Sequence, residues 1–233
     1  MSPVVLCNYS KNLRELGRLE EAADYAERAY RKARRVGPQV AVNHSLLARA
    51  KIYTAQGNSF RAAAMLAEVE PRLQKSLPAG HYAFATLASA KALNALVKGD
   101  IPTAMKLADR AVSIDEAAIK AGGEGIYYLP TLLLNRSAVE LAASRPERAA
   151  ADASRALALS QTGTKPGTFS SIQGRAYLAL GRALQAQGKP EEARAAFRSA
   201  AEHLQVTLGP GHPDTRSARQ LADFPNLAST ISR

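Results

Sequence analysis

The sequence is poor in the residues that build several common kinds of site. Its single cysteine among 233 residues, Cys7, excludes an internal disulfide and any metal site made of several cysteines. Tryptophan is absent, and aromatic residues make up only 6% of the chain. The most apolar run, IYYLPTLLL at 126–134, is too short to cross a bilayer and is interrupted by Pro130. The first residues also lack the basic segment and long apolar stretch of a secretory signal peptide, so we expect a cytoplasmic protein.

Combinations of residues typical of catalytic or metal sites are lacking as well. The phosphate-binding pattern GxxxxGK[ST] does not occur, and AGGEG at 121–125 has no strand before it. His44, His81, His203 and His212 show none of the short spacings that place two metal ligands on one helix face. We therefore expect no enzyme activity, no cofactor and no metal. His81 and His212 stand where loops lead into new repeats, so we predict turn or capping roles for them.

Acidic residues are fewer than basic ones. The formal net charge is +11, and the sequence pI is about 10.0. This balance favours a partner that carries negative charge: an acidic protein, nucleic acid or anionic lipid. The densest basic cluster, RAYRKARR at 28–35, would also complement the dipole of a helix that ends there.

The chain is rich in alanine and contains an internal repeat. Turn-forming residues recur at intervals of 40, 42, 45 and 44 residues, at Gly17, Gly57, Gly99, Ser144 and Gly188. The residue five positions after each of them is always alanine: Ala22, Ala62, Ala104, Ala149 and Ala193. The residue seven positions before is always small: Ser10, Ala50, Ala92, Ser137 and Gly181. A fixed period of this length is typical of stacked supersecondary units.

Each unit is predicted to be a helical hairpin. Glycine adopts the left-handed backbone that ends one helix, and Pro102, Pro146 and Pro190 stand where the next helix begins, a position that tolerates proline. Small residues let the paired helices approach closely. One position disagrees, because Glu140 stands where the other repeats are apolar. Repeat four is therefore either shifted in register there or turns a carboxylate outward.

These offsets resemble the tetratricopeptide repeat. The fifth repeat carries the resemblance best, through Tyr177, Leu180, Gly181, Leu184, Gly188, Ala193, Phe197 and Ala200. The long period and the segment TLGPGHPDTRSARQLA at 207–222 are similar to the kinesin-light-chain type of this repeat, which also occurs in bacterial multidomain regulators and serine/threonine kinases. The resemblance implies an all-α, right-handed superhelical solenoid of about five antiparallel hairpins plus a C-terminal capping helix. The predicted repeats are 3–37, 40–76, 82–120, 127–160 and 170–208, with the capping helix at 213–222, one domain over 1–222 and a tail over 223–233.

The resemblance also implies a binding surface, because the first helix of each hairpin lines a concave groove in this family. The groove positions with polar, charged or apolar groups suited to a partner are Asn8, Lys11, Arg14, His44, Lys51, Leu93, Asn135, Arg175 and Arg182. They predict a groove that is cationic at both ends and apolar in the middle. The alternative is that the basic residues form a solvated face and that the leucines are core between repeats. The family's clamp for a C-terminal carboxylate is not expected, since Cys7, Ala48, Thr86 and Ala90 occupy most of its places.

We therefore expect a non-enzymatic scaffold that binds a peptide or protein segment, acidic in part, in its groove. One alternative is a regulatory arm of a bacterial serine/threonine kinase or transcription regulator. Another is a nucleic-acid-binding helical repeat, which the charge favours and the scarcity of aromatic residues for base stacking disfavours.

Overall fold

The computed structural model of the chain describes residues 1–122, 127–162, 164–165 and 167–223. All regular secondary structure in these residues is helical. The helices are α1 (Pro3–Glu15), α2 (Leu19–Val36), α3 (Gln39–Ala55), α4 (Ser59–Ser76), α5 (Ala83–Val97), α6 (Ile101–Lys120), α7 (Leu129–Ala142), α8 (Pro146–Gln161), α9 (Ser171–Ala186), α10 (Pro190–Leu208) and α11 (Pro213–Asp223). Of the predicted tail, residues 224–233 lie outside the described part.

Consecutive helices pair as hairpins, which confirms the predicted all-α repeat fold. Helices α1 and α2, α3 and α4, α5 and α6, and α9 and α10 pack against each other. In the fourth hairpin the Ser137 hydroxyl of α7 donates a 2.8 Å hydrogen bond to the backbone carbonyl of Ala149 in α8. The chain forms two compact units, Met1–Leu132 and a second that begins at Leu133.

The five hairpin turns share one backbone geometry. Gly17, Gly57, Gly99 and Gly188 have φ between 73° and 77°, and Ser144 has φ 56°. After each turn residue, the next amide donates to the carbonyl five residues before it, over 2.8–3.0 Å. This bond satisfies a carbonyl that the end of the first helix leaves unpaired. The helix that follows begins with proline in its first turn in α6, α8 and α10, as predicted.

The alanine that recurs in each repeat is buried in every hairpin. The five alanines that follow the turn residues by five positions are 0–1% exposed. Phe197 and Leu204 fill the gaps beside them in the last hairpin and pack with Ala218 of α11. Helix α11 therefore covers apolar surface of α10, which is the role predicted for a capping helix.

Glu140 corrects the sequence-based interpretation of repeat four. Neither alternative holds: the turn at Ser144 keeps the common geometry, and the Glu140 side chain is 1% exposed rather than turned to solvent. Its Oε1 lies 3.0 Å from Nε of Arg148 in α8. The repeat keeps its register because the paired guanidinium offsets the cost of burying the carboxylate.

Both predicted histidine caps are confirmed. Nδ1 of His81 accepts the amide of Ala83 at the start of α5 over 3.1 Å. Nδ1 of His212 accepts the amide of Asp214 at the start of α11 over the same distance. Each ring satisfies one of the amides that the first turn of a helix leaves unpaired.

Asp115 is a second buried carboxylate, and it is held differently. It is 0% exposed in α6, and neither carboxylate oxygen has a hydrogen-bond partner among the described residues. Burial, with a smaller effect of nearby Glu116, raises the pKa of Asp115 from 3.8 to about 6. The folded chain therefore binds this proton more tightly than the unfolded chain does, and unfolding is easier once the proton has left.

We expect the free energy of unfolding to fall as pH rises from about 4 through about 6, because the folded state holds the Asp115 proton in that window and the unfolded state does not. Asp115→Asn should remove this dependence and stabilise the protein by about 1–3 kcal/mol at pH 7. Urea unfolding of both proteins at pH 4.5 and pH 7.5 measures the effect. Asp109→Asn, on the same helix, is the control. Equal pH slopes for wild type and Asp115→Asn would contradict the prediction.

Candidate functional site

A groove of about 500 Å³ lies in the first unit, between α1, α3 and the segment that leads into α5. Helical spacing brings its side chains together. Cys7, Lys11 and Arg14 follow one another at intervals of four and three residues and share one face of α1. His44 and Lys51 share a face of α3, and α1 packs directly against α3. Leu73, Ser76 and Leu77 close the groove from the end of α4, and Tyr82, Thr86 and Tyr128 line its far side.

The structure brings five of the nine predicted site residues into this groove: Asn8, Lys11, Arg14, His44 and Lys51. Leu93 is half-buried in α5 and is not among the lining residues. Asn135, Arg175 and Arg182 belong to the second unit. There, Arg175 Nε lies 3.0 Å from Oδ2 of Asp214, and Arg182 Nη2 donates to Oγ of Ser217 over 3.0 Å. These two arginines contact α11.

The groove is strongly cationic. Lys11, Arg14 and Lys51 line it, and none of the nineteen lining residues in the described part of the chain is acidic. Glu15, next to Arg14, forms an ion pair with that guanidinium. Burial, followed by the charges of Arg14 and Lys11, lowers the pKa of Lys51 to about 8, whereas Glu15 and Cys7 act in the opposite direction. Lys51 is therefore a half-buried cation that its own neighbours repel.

Cys7 and His44, which also line the groove, are neutral near pH 7. Burial raises the pKa of the Cys7 thiol above its ordinary value of 9.0, although Lys11 and Lys51 oppose the shift. A thiol that stays protonated in this way is a poor nucleophile. Burial lowers the pKa of His44 from 6.5. Neither group therefore adds positive charge to that of Lys11, Arg14 and Lys51.

An aromatic stack on the far side of the groove was not predicted. The ring of Tyr82 stacks on His81, with centroids 4.4 Å apart, and on Tyr128, with centroids 5.0 Å apart and planes within 13°. All three residues line the groove. They stand in loops, outside the positions that the repeat fixes, so the repeat pattern carries no signal for them. The capping bond from Ala83 to His81 orients the first ring.

Asn43 lies in the groove wall and is 2% exposed. Its side-chain oxygen is buried and has no hydrogen-bond partner among the described residues. An acceptor left unpaired in this way costs about 1–3 kcal/mol. A donor brought in by an occupant of the groove would reduce that cost.

Comparisons with known proteins agree with the helical repeat. The tetratricopeptide repeat family matches residues 174–214. BtubC (BKLC) from P. vanneervenii is 18% identical, with a TM-score of 0.63 over 90% of this chain and 80% of that one. A thermophilic TPR protein from Thermus thermophilus is 16% identical, with a TM-score of 0.63 over 94% and 98%. A tetratricopeptide repeat protein from Parabacteroides merdae is also 16% identical, with a TM-score of 0.62 over 95% and 70%. No curated protein matches the sequence.

Two further findings bear on the class of protein. None of the described helices combines the length and the apolar character that crossing a bilayer requires. Repeats of this family generally serve as scaffolds for protein–protein interaction. The match of residues 174–214 and the fold shared with these solved structures confirm the resemblance found in the sequence: the fifth repeat matches the tetratricopeptide repeat, and the described chain has the helical-hairpin fold of such proteins.

Proposed function

We propose that the groove of the first unit binds an acidic segment of a partner protein and that the chain acts as a non-enzymatic scaffold, which we place in the cytoplasm. The observation that carries the proposal is the convergence of three basic side chains in a groove without a carboxylate among its described lining residues. A segment with acidic residues supplies the missing charge. Such complementarity increases the rate of encounter and fixes the register of the bound segment.

The remaining lining residues fit the other parts of an extended segment. Leu47, Leu73 and Leu77 offer apolar contact beside the cations, and burial of apolar side chains there would supply much of the affinity. Asn8 provides an amide that can both donate to and accept from a peptide backbone. The same groove would serve a chain that acts alone or one that is the regulatory arm of a bacterial kinase or transcription regulator.

A second candidate function, binding of single-stranded nucleic acid, is favoured by the stack of His81, Tyr82 and Tyr128 beside the cations. Bases stack on aromatic rings, and phosphates pair with lysine and arginine. The half-burial of Tyr82 within an existing stack leaves less ring surface for a base than a free aromatic side chain offers. A single-stranded oligonucleotide is therefore the alternative ligand in the binding test.

Reversing the groove charges should weaken binding of an acidic peptide at least tenfold. The test uses a fluorescent peptide with glutamates at both ends and leucines in the centre, and a fluorescent 12-nucleotide single strand. Fluorescence anisotropy gives the dissociation constants of wild type, of Lys11→Glu/Lys51→Glu and of the control Lys98→Glu/Lys106→Glu. The control changes the net charge equally at two exposed positions outside the groove. Circular dichroism verifies that the variants are folded.

Comparing the acidic peptide with the single-stranded oligonucleotide distinguishes the two candidate functions. Selective loss of peptide binding in the groove variant supports the scaffold function. Equal weakening in both double variants would show that peptide binding reflects net charge alone and would contradict the proposal. Tighter binding of the single strand than of the peptide, lost only in the groove variant and steeply reduced by salt, would establish the nucleic-acid function instead.

A further inference from the structure

We propose that Lys11, Arg14 and Lys51 form a subsite for a tetrahedral dianion, a phosphoryl group carried by the bound segment. The inference rests on the proposed function, since it names the chemistry of the segment that the groove accepts. It makes the scaffold a reader of phosphorylation. The charge, the hydrogen-bonding capacity and the surroundings of the three side chains each support it.

The charge of the cluster matches a dianion better than a carboxylate. Two cations from α1 and one from α3 line the same groove, and Arg14 forms an ion pair with Glu15. One carboxylate carries a single negative charge. A phosphoryl group carries about −1.5 to −2 charges at pH 7 and presents three acceptor oxygens. Its charge therefore balances the charges of Lys11 and Lys51 together, and an oxygen remains to accept a hydrogen bond from the Arg14 guanidinium.

Lys51 is the cation of the cluster whose charge its surroundings oppose. The residue is half-buried, and burial together with Arg14 and Lys11 lowers its pKa to about 8. A bound dianion would stabilise the protonated form and raise that pKa. By linkage, the dianion must then bind more tightly to the protonated state, so its affinity falls as Lys51 loses its proton.

The groups around Lys51 determine how this dependence is measured. From α1 it faces Cys7, Lys11, Arg14 and Glu15, and His44 lies on its own helix. The pKa of His44 is lowered from 6.5 by burial, so it lies below the pKa of Lys51. The pKa of the Cys7 thiol is raised from 9.0 by burial, so it lies above the pKa of Lys51. Across the groove stand His81, Tyr82 and Tyr128.

The first experiment uses sulfate, a tetrahedral dianion whose own charge stays constant from pH 6.5 to pH 10. The pKa of Lys51 is followed by NMR at its ¹³Cε, in sodium sulfate and in sodium chloride of equal ionic strength. We expect sulfate to raise this pKa by about one unit, which corresponds to a roughly tenfold loss of sulfate affinity when Lys51 is deprotonated. Lys51→Arg should keep the affinity and lose its pH dependence. Cys7→Ser should leave the profile unchanged.

The second experiment identifies the source of the dianion. Three peptides that differ at one place are compared by anisotropy at pH 7.4: one with phosphoserine, one with serine and one with two adjacent aspartates. We expect the phosphoserine peptide to bind at least tenfold more tightly than the serine peptide and at least threefold more tightly than the aspartate peptide. Lys51→Met should abolish this preference, whereas the control Lys98→Met should not.

The outcomes separate this inference from the proposed function. Equal or tighter binding of the aspartate peptide, with no change in the pKa of Lys51 in sulfate, would overturn the dianion subsite and leave the acidic-segment scaffold intact. A sulfate-dependent pKa without binding of any of the peptides would support the subsite and overturn the scaffold function. Sulfate binding that persists unchanged in a folded Lys11→Met/Lys51→Met variant would place the anion elsewhere and overturn the subsite.

Discussion

Replacing Gly181 by alanine is expected to destabilise the second unit by about 2–3 kcal/mol, although alanine is the better helix former. A Cβ at this position of α9 would lie 2.5 Å from Cε1 and 2.6 Å from Cδ1 of Phe197. Phe197 in α10 is 1% exposed, so its ring has no room to move aside. Overpacking of this kind costs typically 1–3 kcal/mol and occasionally more. The gain of about 1 kcal/mol in helix propensity opposes only part of a severe clash.

Urea unfolding followed by circular dichroism measures this loss of stability. Two further variants test whether the loss comes from the contact between position 181 and Phe197. Gly211→Ala is the control, because a Cβ there would meet no atom within 4 Å. Adding Phe197→Leu to Gly181→Ala should recover part of the stability, since leucine vacates the space that the new methyl group enters. If Gly181→Ala were as stable as wild type, the helices of the last hairpin would not approach as closely as the structure places them.

The fold could be predicted from the sequence because it is repeated. A single glycine followed by proline is weak evidence for a hairpin. The same turn found five times, with alanine always five positions later, fixes the pairing of the helices. Ser144 shows the strength of the pattern, since a residue that rarely adopts positive φ has φ 56° at the place where the other repeats have glycine. Local backbone chemistry and side-chain size were sufficient here.

The candidate site was predictable only where it follows the repeat. Lys11 and Lys51 occupy the same offset in successive first helices, and both line the groove. Arg182 has the same offset, yet it bonds to Ser217 of α11, because an end repeat faces a capping helix that has no counterpart in the pattern. Asp214, an acidic residue at the start of that helix, was the available signal that Arg175 has a partner within the chain. Leu93, Asn135, Arg175 and Arg182 do not line this groove, and the binding role of all nine predicted residues stays a prediction.

The aromatic stack in the groove could not be predicted from the sequence, for a different reason. His81 and Tyr82 precede α5, whereas Tyr128 precedes α7, 46 residues further along the chain. Their stacking depends on how the third hairpin folds back, which no local rule determines. Glu140 was misinterpreted for a related reason: its partner Arg148 lies across the turn in α8. Predicting the aromatic stack or the ion pair of Glu140 would have required the positions of side chains that are distant in sequence or on another helix.

Removing Arg148 is expected to have the other large effect on stability. Arg148→Met takes a guanidinium away from the Glu140 carboxylate, which is 1% exposed and lies 3.0 Å from it. Breaking a buried ion pair by removing one partner costs about 3–5 kcal/mol. The Arg148 side chain is itself 52% exposed, so water replaces part of what it supplied. We therefore expect a loss of about 2–4 kcal/mol in the free energy of unfolding at pH 7.

A double-mutant cycle distinguishes this cost from a loss of packing by the arginine stem. Leu13, Tyr53 and Leu184 occupy the position of Glu140 in three other repeats, so Glu140→Leu replaces the carboxylate by a side chain that the architecture accepts. In that background, Arg148→Met should cost less than about 0.5 kcal/mol. Arg145→Met, at an exposed position one turn earlier, controls for the loss of a surface charge. Equal losses for Arg148→Met with and without Glu140→Leu would show that Arg148 stabilises the fold through its packing, and that the buried carboxylate does not depend on it.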